Sequence, residues 1–346
     1  MKKIGIVGFF AKQKPLRDGQ TVKTQQLSKA LKERLGEDEI VEVDMQGCRN
    51  RPFGFVKEVA SICRNCENVV ILPAHNALLF LPFLCLLFRK SEVRLFYDVI
   101  GGWLPTYIKG HSIVEKQIKK FAGIWVETSV MQKSLQSLGF DNVAVLPNFK
   151  DLNILQESET HGIAGKPIKL CVFSRVTEVK GIDDAVNSVK KINEEMGAPT
   201  YSLDIYGPID DAYASHFENL QKDFTNEVKY CGCVSPEKST EYLKLYDALL
   251  FPTRYEGEGH PGTIIDAYSA GLPVLSAKWH SYSDFVDEGE TGLGYEQYNY
   301  DALCELLRKV ASDYKVLDDM RGNCLKKASN YSAKEVVDEI ISILSK

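Results

Sequence analysis

The 346-residue sequence lacks several features that would assign it to well-known classes of protein. Its longest apolar run, Ala77 to Phe88, is too short to span about 30 Å of hydrocarbon and is interrupted by Pro82. Only one C-x-x-C pair is present, Cys63 and Cys66, so no second pair stands at zinc-site spacing. No recognisable RNA- or DNA-binding motif occurs. The sequence therefore predicts neither a transmembrane helix, nor a zinc domain, nor a nucleic-acid-binding protein.

A secretion signal is also missing. The first apolar segment, IGIVGFF, is too short for the core of a signal peptide and has the pattern of a strand. Nine cysteines are scattered over both halves, and this odd number without a secretion signal indicates reduced thiols. We therefore expect a cytoplasmic location.

Short apolar runs alternate with amphipathic stretches along the whole chain, which is typical of a parallel α/β fold. Eleven segments have strand character: IGIVGF, EIVEVD, NVVILPA, VRLFYDV, GIWVET and VAVLPN in the first half, and KLCVFS, YSLDIYG, VKYCG, ALLFPT and PVLSA in the second. The length exceeds one ordinary core. We therefore predict two Rossmann-like domains, residues 1–150 and 151–331, with a linker over 151–167. Ser332 and Glu335 form a capping box that begins a last helix, 332–346.

Charge is divided unevenly between the halves. Residues 1–150 contain 22 Lys and Arg against 14 Asp and Glu, a balance of +8, whereas the whole chain has −5. A basic amino-terminal half suits an anionic membrane surface or a phosphate-bearing acceptor. The apolar run 77–88 is then either a helix buried against the sheet or a helix docked on a bilayer. In the second case its basic neighbours face the headgroups: Arg89, Lys90, Arg94, Lys116, Lys119 and Lys120.

The most informative segment is RYEGEGHPGTIIDAYSAGLP, residues 254–273. It places two carboxylates, Glu258 and Asp266, on either side of a glycine-rich turn. We predict Thr263 as the N-cap of a short helix, 264–270, which Gly271 ends. Free N–H groups and the positive end of the helix dipole favour a phosphate at such a turn. The two acids would then flank a diphosphate.

A second segment, FSRVTEVKG, supports this interpretation. The predicted strand that ends at Phe173 runs into a loop with Arg175 and Lys180, followed by Gly181. Arginine binds a diphosphate in fork geometry and lysine binds it as a point charge. Two cations at the carboxyl end of a strand are therefore suitably placed for this ligand.

These residues resemble the retaining GT-B glycosyltransferases of family 4, the group-1 transferases of bacterial surface-polysaccharide synthesis. The resemblance covers residues 169–295. It includes YDALLFPT, SDFVDEGETG and three spaced motifs: Ser174, Arg175, Lys180 and Gly181 in a G/S-R-x-x-x-x-K-G segment, Glu258 and Asp266 in E-x7-E, and Ala267, Gly271, Pro273 and Val274 in A-x-x-x-G-x-P-V. Asp266 and Asp284 stand where glutamate is usual.

The resemblance implies two Rossmann-like domains that face each other across a cleft, with the last helix returning to the first domain. It implies a metal-independent hexosyltransferase without a cofactor that uses a UDP- or GDP-sugar and retains the anomeric configuration. The leaving phosphate would deprotonate the acceptor, a saccharide or a lipid-linked saccharide. Arg175, Lys180 and Glu258 would be catalytic, with Glu258 on the sugar hydroxyls and Asp266 on the ribose. The further donor contacts would be Ser174, His260, Pro261, Gly262 and Thr263.

The amino-terminal domain offers fewer candidates. Gly19 and Gln20 follow the first strand, where a glycine lets the backbone approach donor phosphates. Asp98 ends a strand in the segment YDVIGGWLP, which is familiar from polysaccharide glycosyltransferases, and it would contact donor sugar or acceptor hydroxyl. The expected acceptor-side residues are His75, Gly101, Gly102 and Trp103, of which Trp103 can stack on a sugar ring. The alternative is that the two glycines form a turn and Trp103 belongs to the core.

Two other functions remain open at this stage. One is a nucleotide-sugar 2-epimerase of the same fold, and the other is a catalytically silent binding subunit of a polysaccharide assembly complex. Retention of Arg175, Lys180 and Glu258 argues against the silent subunit. The expected setting is a capsule, O-antigen or exopolysaccharide pathway, and a location in peripheral contact with the inner membrane is compatible with it.

Overall fold

The computed structural model describes residues 3–12 and 19–346. The chain divides into two compact units, the first formed by Met1–Lys150 with Ser332–Lys346 and the second by Asp151–Tyr331. Each unit is built on a six-stranded parallel sheet with helices packed against it. The predicted α/β class is thus confirmed.

The sheet of the first unit has the strand order β2-β1-β3-β4-β5-β6. Each predicted strand segment of the first half contains one of its strands: β1 (Ile4–Gly8), β2 (Ile40–Asp44), β3 (Asn68–Ile71), β4 (Arg94–Asp98), β5 (Gly123–Val126) and β6 (Val143–Val145). These strands are nearly continuous apolar runs because helices cover both faces of a parallel sheet.

The helices of the first unit cover the two faces unequally. They are α1 (Gly19–Leu35), α2 (Pro52–Asn65), α3 (His75–Leu78), α4 (Leu81–Phe88), α5 (Leu104–Lys109), α6 (Ser112–Ile118), α7 (Ser129–Ser137) and the terminal helix (Ala333–Leu344). Leu27 and Leu31 of α1 share a core cluster with Val336 and Ile340 of the terminal helix. The side chains of α2 and α4 to α7 form the core of the opposite face.

The terminal helix begins as its sequence predicts. Ser332 is its N-cap, and the Ser332 hydroxyl accepts a hydrogen bond from the Glu335 amide at 3.3 Å. At its other end, the carbonyl of Leu344 accepts a hydrogen bond from the side-chain amide of Asn68 at 3.0 Å. Apolar packing and these end contacts together fix the helix on the first unit.

The sheet of the second unit has the strand order β12-β11-β10-β7-β8-β9. Its strands are β7 (Ile168–Phe173), β8 (Tyr201–Tyr206), β9 (Val228–Gly232), β10 (Ala248–Phe251), β11 (Val274–Lys278) and β12 (Gly292–Glu296). The first five coincide with predicted segments, whereas the edge strand β12 has no counterpart among them. Its helices are α8 (Ile182–Met196), α9 (Ala214–Gln221), α10 (Ser239–Leu243), α11 (Gly262–Ser269), α12 (Tyr282–Phe285), α13 (Tyr300–Ser312) and α14 (Lys315–Ser329).

Short 3₁₀ turns complete the secondary structure. They are Glu37–Glu39, Cys48–Asn50, Glu157–Glu159, Glu178–Lys180 and Pro236–Lys238. The turn Glu178–Lys180 lies between β7 and α8 and carries one of the predicted cations.

Residues 151–167, expected to be a linker, are packed on the second unit instead. The Leu155 amide donates a hydrogen bond to the Ser269 carbonyl at 2.9 Å. The Ile163 amide donates to the carboxylate of Asp318 at 3.1 Å. The stretch lacks periodicity because loop backbone and side-chain contacts hold it, not a helix or strand.

In each sheet, successive strands are added first on one side of the unit's first strand and then on its other side. The strand order therefore reverses once, beside that first strand. In the first sheet this switch point lies between β1 and β3, and in the second it lies between β7 and β10. In parallel α/β sheets, loops at the carboxyl ends of such strands diverge and leave a crevice that binds ligands. The two switch points are therefore the expected positions of functional sites.

Candidate functional site

The loops after β7 and β10 bring Lys180 and Glu258 into contact at the switch point of the second sheet. The Lys180 ammonium donates a hydrogen bond to Oε2 of Glu258. The side chains are 19% and 10% exposed, respectively, so water screens this ion pair only partly. Residues 78 positions apart in sequence thus form one charged cluster.

Other contacts hold both members of this pair in place. The Lys180 nitrogen lies 5.5 Å from the ring centre of Phe251 and 5.8 Å from that of Tyr255. The Thr253 hydroxyl donates to the same Glu258 oxygen at 3.1 Å and accepts a hydrogen bond from the Tyr255 amide at 3.2 Å. The cation is therefore oriented before any ligand binds, and a preorganised charge costs little reorganisation during a reaction.

Gly181 allows the two loops to approach closely. Its φ is 68°, in the left-handed region that favours glycine. A Cβ at this position would lie 2.0 Å from the carbonyl oxygen of Pro252 in the loop after β10. The glycine that follows Lys180 is thus required for the backbone contact that brings Lys180 to Glu258.

A second ion pair connects the loop after β10 to α8. The Arg254 guanidinium donates two hydrogen bonds of 2.7 Å to the carboxylate of Asp184, in the first turn of α8. Next to it, the Arg254 amide donates to the Val179 carbonyl at 2.8 Å. Sequence reasoning missed the roles of Thr253 and Arg254, although both flank the acidic loop.

Arg175 lies at the same edge of the sheet but apart from this pair. Its side chain is 66% exposed, and its Nη1 is 3.9 Å from a carboxylate oxygen of Asp210. Ser174 donates its hydroxyl hydrogen bond to the adjacent Arg175 carbonyl. The structure thus joins Lys180 to Glu258 and leaves Arg175 extended into solvent.

The glycine-rich turn leads into α11 two residues earlier than predicted. The helix begins at Gly262 with Pro261 as its N-cap, so the prediction that Thr263 is the N-cap was wrong. The fixed φ of proline suits a helix start. Gly271, with a φ of 65°, follows the helix as predicted. Asp266 is half-buried within α11.

His260 is held among aromatic side chains at the entrance to α11. Its ring makes edge contacts with Phe285 and Tyr331, at centroid distances of 4.7 and 5.3 Å. Both partners are buried. This packing fixes the turn that precedes the helix N-terminus.

In the first unit Asp98 is buried in an ion-pair cluster and does not face solvent. The Lys23 ammonium lies 2.8 Å from Oδ1 of Asp98 and 3.1 Å from Oε1 of Glu127. Burial alone lowers the pKa of Lys23, but the two carboxylates more than offset this and raise it above its ordinary value. Asp98 is thus paired at the carboxyl end of β4, and its contact with a sugar stays a prediction.

Replacing Lys23 with methionine should strongly destabilise the first unit. The change removes the cation but leaves two buried carboxylates, and breaking a buried ion pair in this way costs about 3–5 kcal/mol. Thermal unfolding by calorimetry would measure the loss. Lys29→Met on the same helix is the control, because the Lys29–Glu33 pair is exposed and exposed pairs contribute about 1 kcal/mol or less. Equal melting temperatures for both variants would contradict the assignment.

Two of the predicted acceptor-side residues, His75 and Trp103, form with Tyr107 a group of contacting rings that we call the ring column. The rings of His75 and Trp103 stack with centroids 3.8 Å apart, and Tyr107 contacts both edge-on. Gly101 has a φ of 75°, and its amide lies 3.3 Å from Oε2 of Glu127. Gly102 is exposed, and the half-buried Trp103 packs against the core of this face.

The remaining candidates of this unit are Gly19 and Gln20 at the start of α1. Gly19 is the first helical residue, and among the described residues no atom outside its chain neighbours and its own helix backbone lies within 4 Å of a Cβ built on it. The Gln20 side-chain amide donates to the Leu72 carbonyl at 2.8 Å, after β3. The Gln20 side chain thus connects α1 to the segment that follows β3.

Helices α2 and α4 and the turn between α3 and α4 expose a group of apolar side chains that we call the apolar patch. Its exposed fractions range from 38% for Phe80 to 90% for Phe53, and it consists of Phe53, Leu79, Phe80, Phe83 and Leu87. The ring contact of Phe55 with Phe80, at 6.4 Å, brings the start of α2 next to α4. The run 77–88 is thus buried on one side only.

Two of the basic residues expected to face headgroups form hydrogen bonds within the first unit. The Arg94 guanidinium donates to the carbonyls of Ile343 and Leu344 at 3.1 and 3.2 Å. Lys119 donates to Glu115 and to the Leu138 carbonyl. Arg94 and Lys119 thus have partners within the unit, whereas Arg89 and Lys90 directly follow the apolar patch.

Within residues 3–12 and 19–346, no helix combines the length and apolar character needed to cross a bilayer. The same part of the chain contains no cluster of three or more His, Cys, Asp or Glu side chains with metal-site geometry.

Comparisons with known proteins identify similar sequences. The family model "Glycosyl transferases group 1" matches residues 153–331, which contain both loops of the Lys180–Glu258 cluster. The chain is 24% identical over 150 residues to the amylovoran biosynthesis glycosyltransferase AmsK of Erwinia amylovora, covering 42% of this chain and 36% of that protein. It is 22% identical over 258 residues to the alpha-galactosylglucosyldiacylglycerol synthase of Streptococcus pneumoniae, covering 69% and 64%. The chain thus matches less than two thirds of the length of these relatives.

Solved structures share the fold over a longer range. HepE of Anabaena, in a complex with UDP and glucose, superposes with a TM-score of 0.72 at 15% identity over all of both chains. TarM of S. aureus superposes with a TM-score of 0.62 at 14% identity, covering 84% of this chain and 59% of TarM. These matches establish the two-sheet GT-B architecture.

Proposed function

Since the chain belongs to the glycosyl transferases group 1 family, we propose that it transfers a sugar from a nucleotide-diphosphate donor to an acceptor hydroxyl with retention of configuration. The observation that supports this most is the contact of Lys180 with Glu258 at the switch point of the second sheet. The site places a cation that can bind a phosphate next to a carboxylate that can bind sugar hydroxyls. That combination suits the two ends of a nucleotide sugar.

The second unit is proposed to hold the donor. Lys180 would bind the diphosphate, together with the free amides at the start of α11, whose dipole favours an anion. Both contacts of the Glu258 carboxylate within the described chain go to Oε2, so Oε1 remains to accept a sugar hydroxyl. HepE, which shares the fold, was crystallised with UDP and with UDP-glucose, which agrees with a donor of this class.

In the proposed reaction, the bond from the anomeric carbon to the donor phosphate oxygen breaks, and the acceptor oxygen bonds to that carbon from the same face. The acceptor proton passes to the leaving diphosphate, as the family resemblance implies. Lys180 and Arg175 stabilise the negative charge that develops on this diphosphate. Double displacement would need a carboxylate nucleophile beside the anomeric carbon. In this proposal both oxygens of Glu258 are already used, Oε2 by Lys180 and Thr253 and Oε1 by a sugar hydroxyl. We therefore favour transfer on a single face.

These cations take the place that a divalent ion occupies in other transferases, so we propose that transfer needs no metal. Turnover should then persist after dialysis against a chelator. A loss of turnover that manganese restores would contradict this part of the proposal. The same assay with the sugar product analysed by NMR distinguishes retention from inversion.

The first experiment is a thermal-shift screen with UDP-, GDP- and other nucleotide sugars. A donor that binds only the folded state at 100 times its Kd stabilises it by about 2.7 kcal/mol, so one nucleotide series should raise the melting temperature clearly. NMR of the stabilising donor without acceptor tests the alternative of a 2-epimerase. Formation of an epimerised sugar, or binding without turnover on any acceptor, would contradict the transferase proposal.

Asp266→Asn should weaken nucleotide binding and leave turnover at saturating donor nearly unchanged. Asp266 lies one turn inside α11, where we propose that its carboxylate binds the ribose. The amide keeps the size but loses the charge, and a hydrogen bond to a charged group contributes about 1.5–3 kcal/mol. Calorimetric titration with the donor's nucleotide diphosphate measures the effect. An unchanged Kd with a lowered kcat would contradict the ribose assignment.

We further propose that the protein acts in the synthesis of a cell-surface polysaccharide, in the cytoplasm and in peripheral contact with the membrane. The support is the family and relatives such as the amylovoran glycosyltransferase. On the first unit, the apolar patch lies beside Arg89 and Lys90, and apolar plus basic side chains together favour an anionic bilayer.

The protein should float with vesicles of anionic lipid at low salt and much less with vesicles of phosphatidylcholine alone. Phe83→Ser together with Leu87→Ser removes two exposed apolar side chains and should reduce flotation several-fold. The control is Ile113→Ser, which removes an exposed apolar side chain outside the patch. Equal flotation of all three proteins would contradict the membrane surface.

A further inference from the structure

The first unit has a cavity at the switch point of its own sheet. Its volume is about 500 Å³, within the range typical of small-molecule sites. Phe9, Met45 and His75 line it, and they follow the carboxyl ends of β1, β2 and β3, respectively. It therefore lies where a parallel sheet of this order binds ligands.

Apolar groups form much of the cavity wall. Phe9, Met45, Ala77 and Phe80 contribute carbon surface, and Phe80 is also part of the apolar patch. The wall of the cavity thus continues onto the exposed side chains of α4. A bare saccharide would leave much of this wall without a partner, whereas a hydrocarbon chain would cover it.

One residue that lines this cavity is a cation with no partner in the described part of the chain. Arg49 lines the cavity and is exposed, and it makes no hydrogen bond or ion pair within residues 3–12 and 19–346. The neighbouring Arg51, by contrast, pairs with Glu58 at 2.6 Å and donates to the Asp44 carbonyl. Arg49 therefore has its planar guanidinium available for an oxyanion such as a phosphate.

We propose that this cavity binds the acceptor and that the acceptor is an amphiphilic phosphate, with its phosphate on Arg49 and its hydrocarbon chain against Phe80 and along the apolar patch. This rests on the proposed function, because it names the acceptor class of that transfer. It selects the lipid-linked acceptor over a free saccharide. His75 connects the cavity to the ring column through its stacking on Trp103.

Trp103 fluorescence provides the readout. Trp103 stacks on the cavity residue His75, whereas Trp125 and Trp279 are buried. We would titrate the full chain with farnesyl phosphate below its micellar concentration, with farnesol and with inorganic phosphate. Farnesyl phosphate should change the emission saturably, farnesol should bind at least tenfold more weakly, and inorganic phosphate should give no change at millimolar concentration. Trp103→Phe should abolish the signal.

Single substitutions distinguish binding of the phosphate group from binding of the hydrocarbon chain. Arg49→Ala should raise the Kd of farnesyl phosphate tenfold or more and leave the Kd of farnesol unchanged, whereas Phe80→Ser should raise both Kd values. Lys133→Ala removes an exposed cation on α7, away from the cavity, and should change neither Kd. If Phe80→Ser fails to fold, Arg49→Ala, an exposed position, still decides. Equal affinities for farnesol and farnesyl phosphate, or an unaffected Arg49→Ala, would overturn the proposal.

A parallel thermal-shift titration with nucleotide sugars separates this inference from the proposed function. Stabilisation by a donor without farnesyl phosphate binding would overturn the acceptor site and leave the transferase proposal in place. Farnesyl phosphate binding without any donor binding or transfer would overturn the proposed function and retain the lipid-phosphate site.

Discussion

Lys180→Ala should lower turnover by a factor on the order of 10² or more, a loss of at least about 2.7 kcal/mol of transition-state stabilisation. The ammonium is 19% exposed and held by Glu258, Phe251 and Tyr255, so its charge acts in a partly desolvated, fixed position. Charge grows on the diphosphate only as the glycosidic bond breaks. The variant should therefore lose kcat more than donor affinity.

Steady-state kinetics with the identified donor would measure this loss. The control is Lys191→Ala, which removes a lysine of α8 whose pairing with Asp301 is loose, at 3.8 Å, and outside the proposed site. It should keep nearly full turnover. Arg175→Ala should cause a comparable fall if its exposed guanidinium closes on the diphosphate. An unchanged kcat for Lys180→Ala would remove the cation from the mechanism.

Gly181→Ala should both destabilise the second unit and impair turnover. A methyl group there would lie 2.0 Å from the Pro252 carbonyl oxygen, so the loops after β7 and β10 must move apart. A left-handed backbone for a non-glycine residue adds about 1–2 kcal/mol. Because Lys180 precedes this glycine and Glu258 follows the displaced loop, their contact should weaken as well.

Gly197→Ala is the matched control for this effect. Gly197 ends the same helix that Gly181 precedes and has a similar φ of 63°, but no atom of the described residues, chain neighbours aside, lies within 4 Å of a Cβ built there. Gly197→Ala should therefore lose the stability that a left-handed backbone costs a non-glycine residue, without a steric clash of the new methyl group. Thermal unfolding and turnover of both variants separate the two causes. A Gly181→Ala protein no less stable and no less active than Gly197→Ala would contradict the role of this contact.

Local sequence pattern was sufficient for most of the fold. Buried strands of a parallel sheet are short apolar runs bounded by turn residues, and eleven of the twelve strands have this form. The exception, β12, contains Gly292 and Gly294 and lacks apolar continuity. A Cβ at Gly292 would lie 2.3 Å from the Val274 carbonyl oxygen, so close strand packing requires the glycine. That requirement arises only when β11 is beside it and is invisible in the segment alone.

The sequence indicated the residue types of the candidate site better than their contacts. Motif spacing pointed to Lys180 and Glu258, and the fold brings them together. The burial of Asp98 could not be predicted, because its partner Lys23 lies on α1, 75 residues earlier, and neither spacing nor periodicity links them. Likewise the N-cap at Pro261 depends on the turn geometry, whereas side-chain preference alone favoured Thr263.

The most direct test of the central claim is a crystal structure of the protein with the nucleotide diphosphate that stabilises it, UDP or GDP. We predict that the diphosphate lies within hydrogen-bonding distance of the Lys180 ammonium and of the backbone amides that begin α11 at Gly262. A well-ordered diphosphate bound elsewhere, with the Lys180–Glu258 pair untouched, would contradict the account.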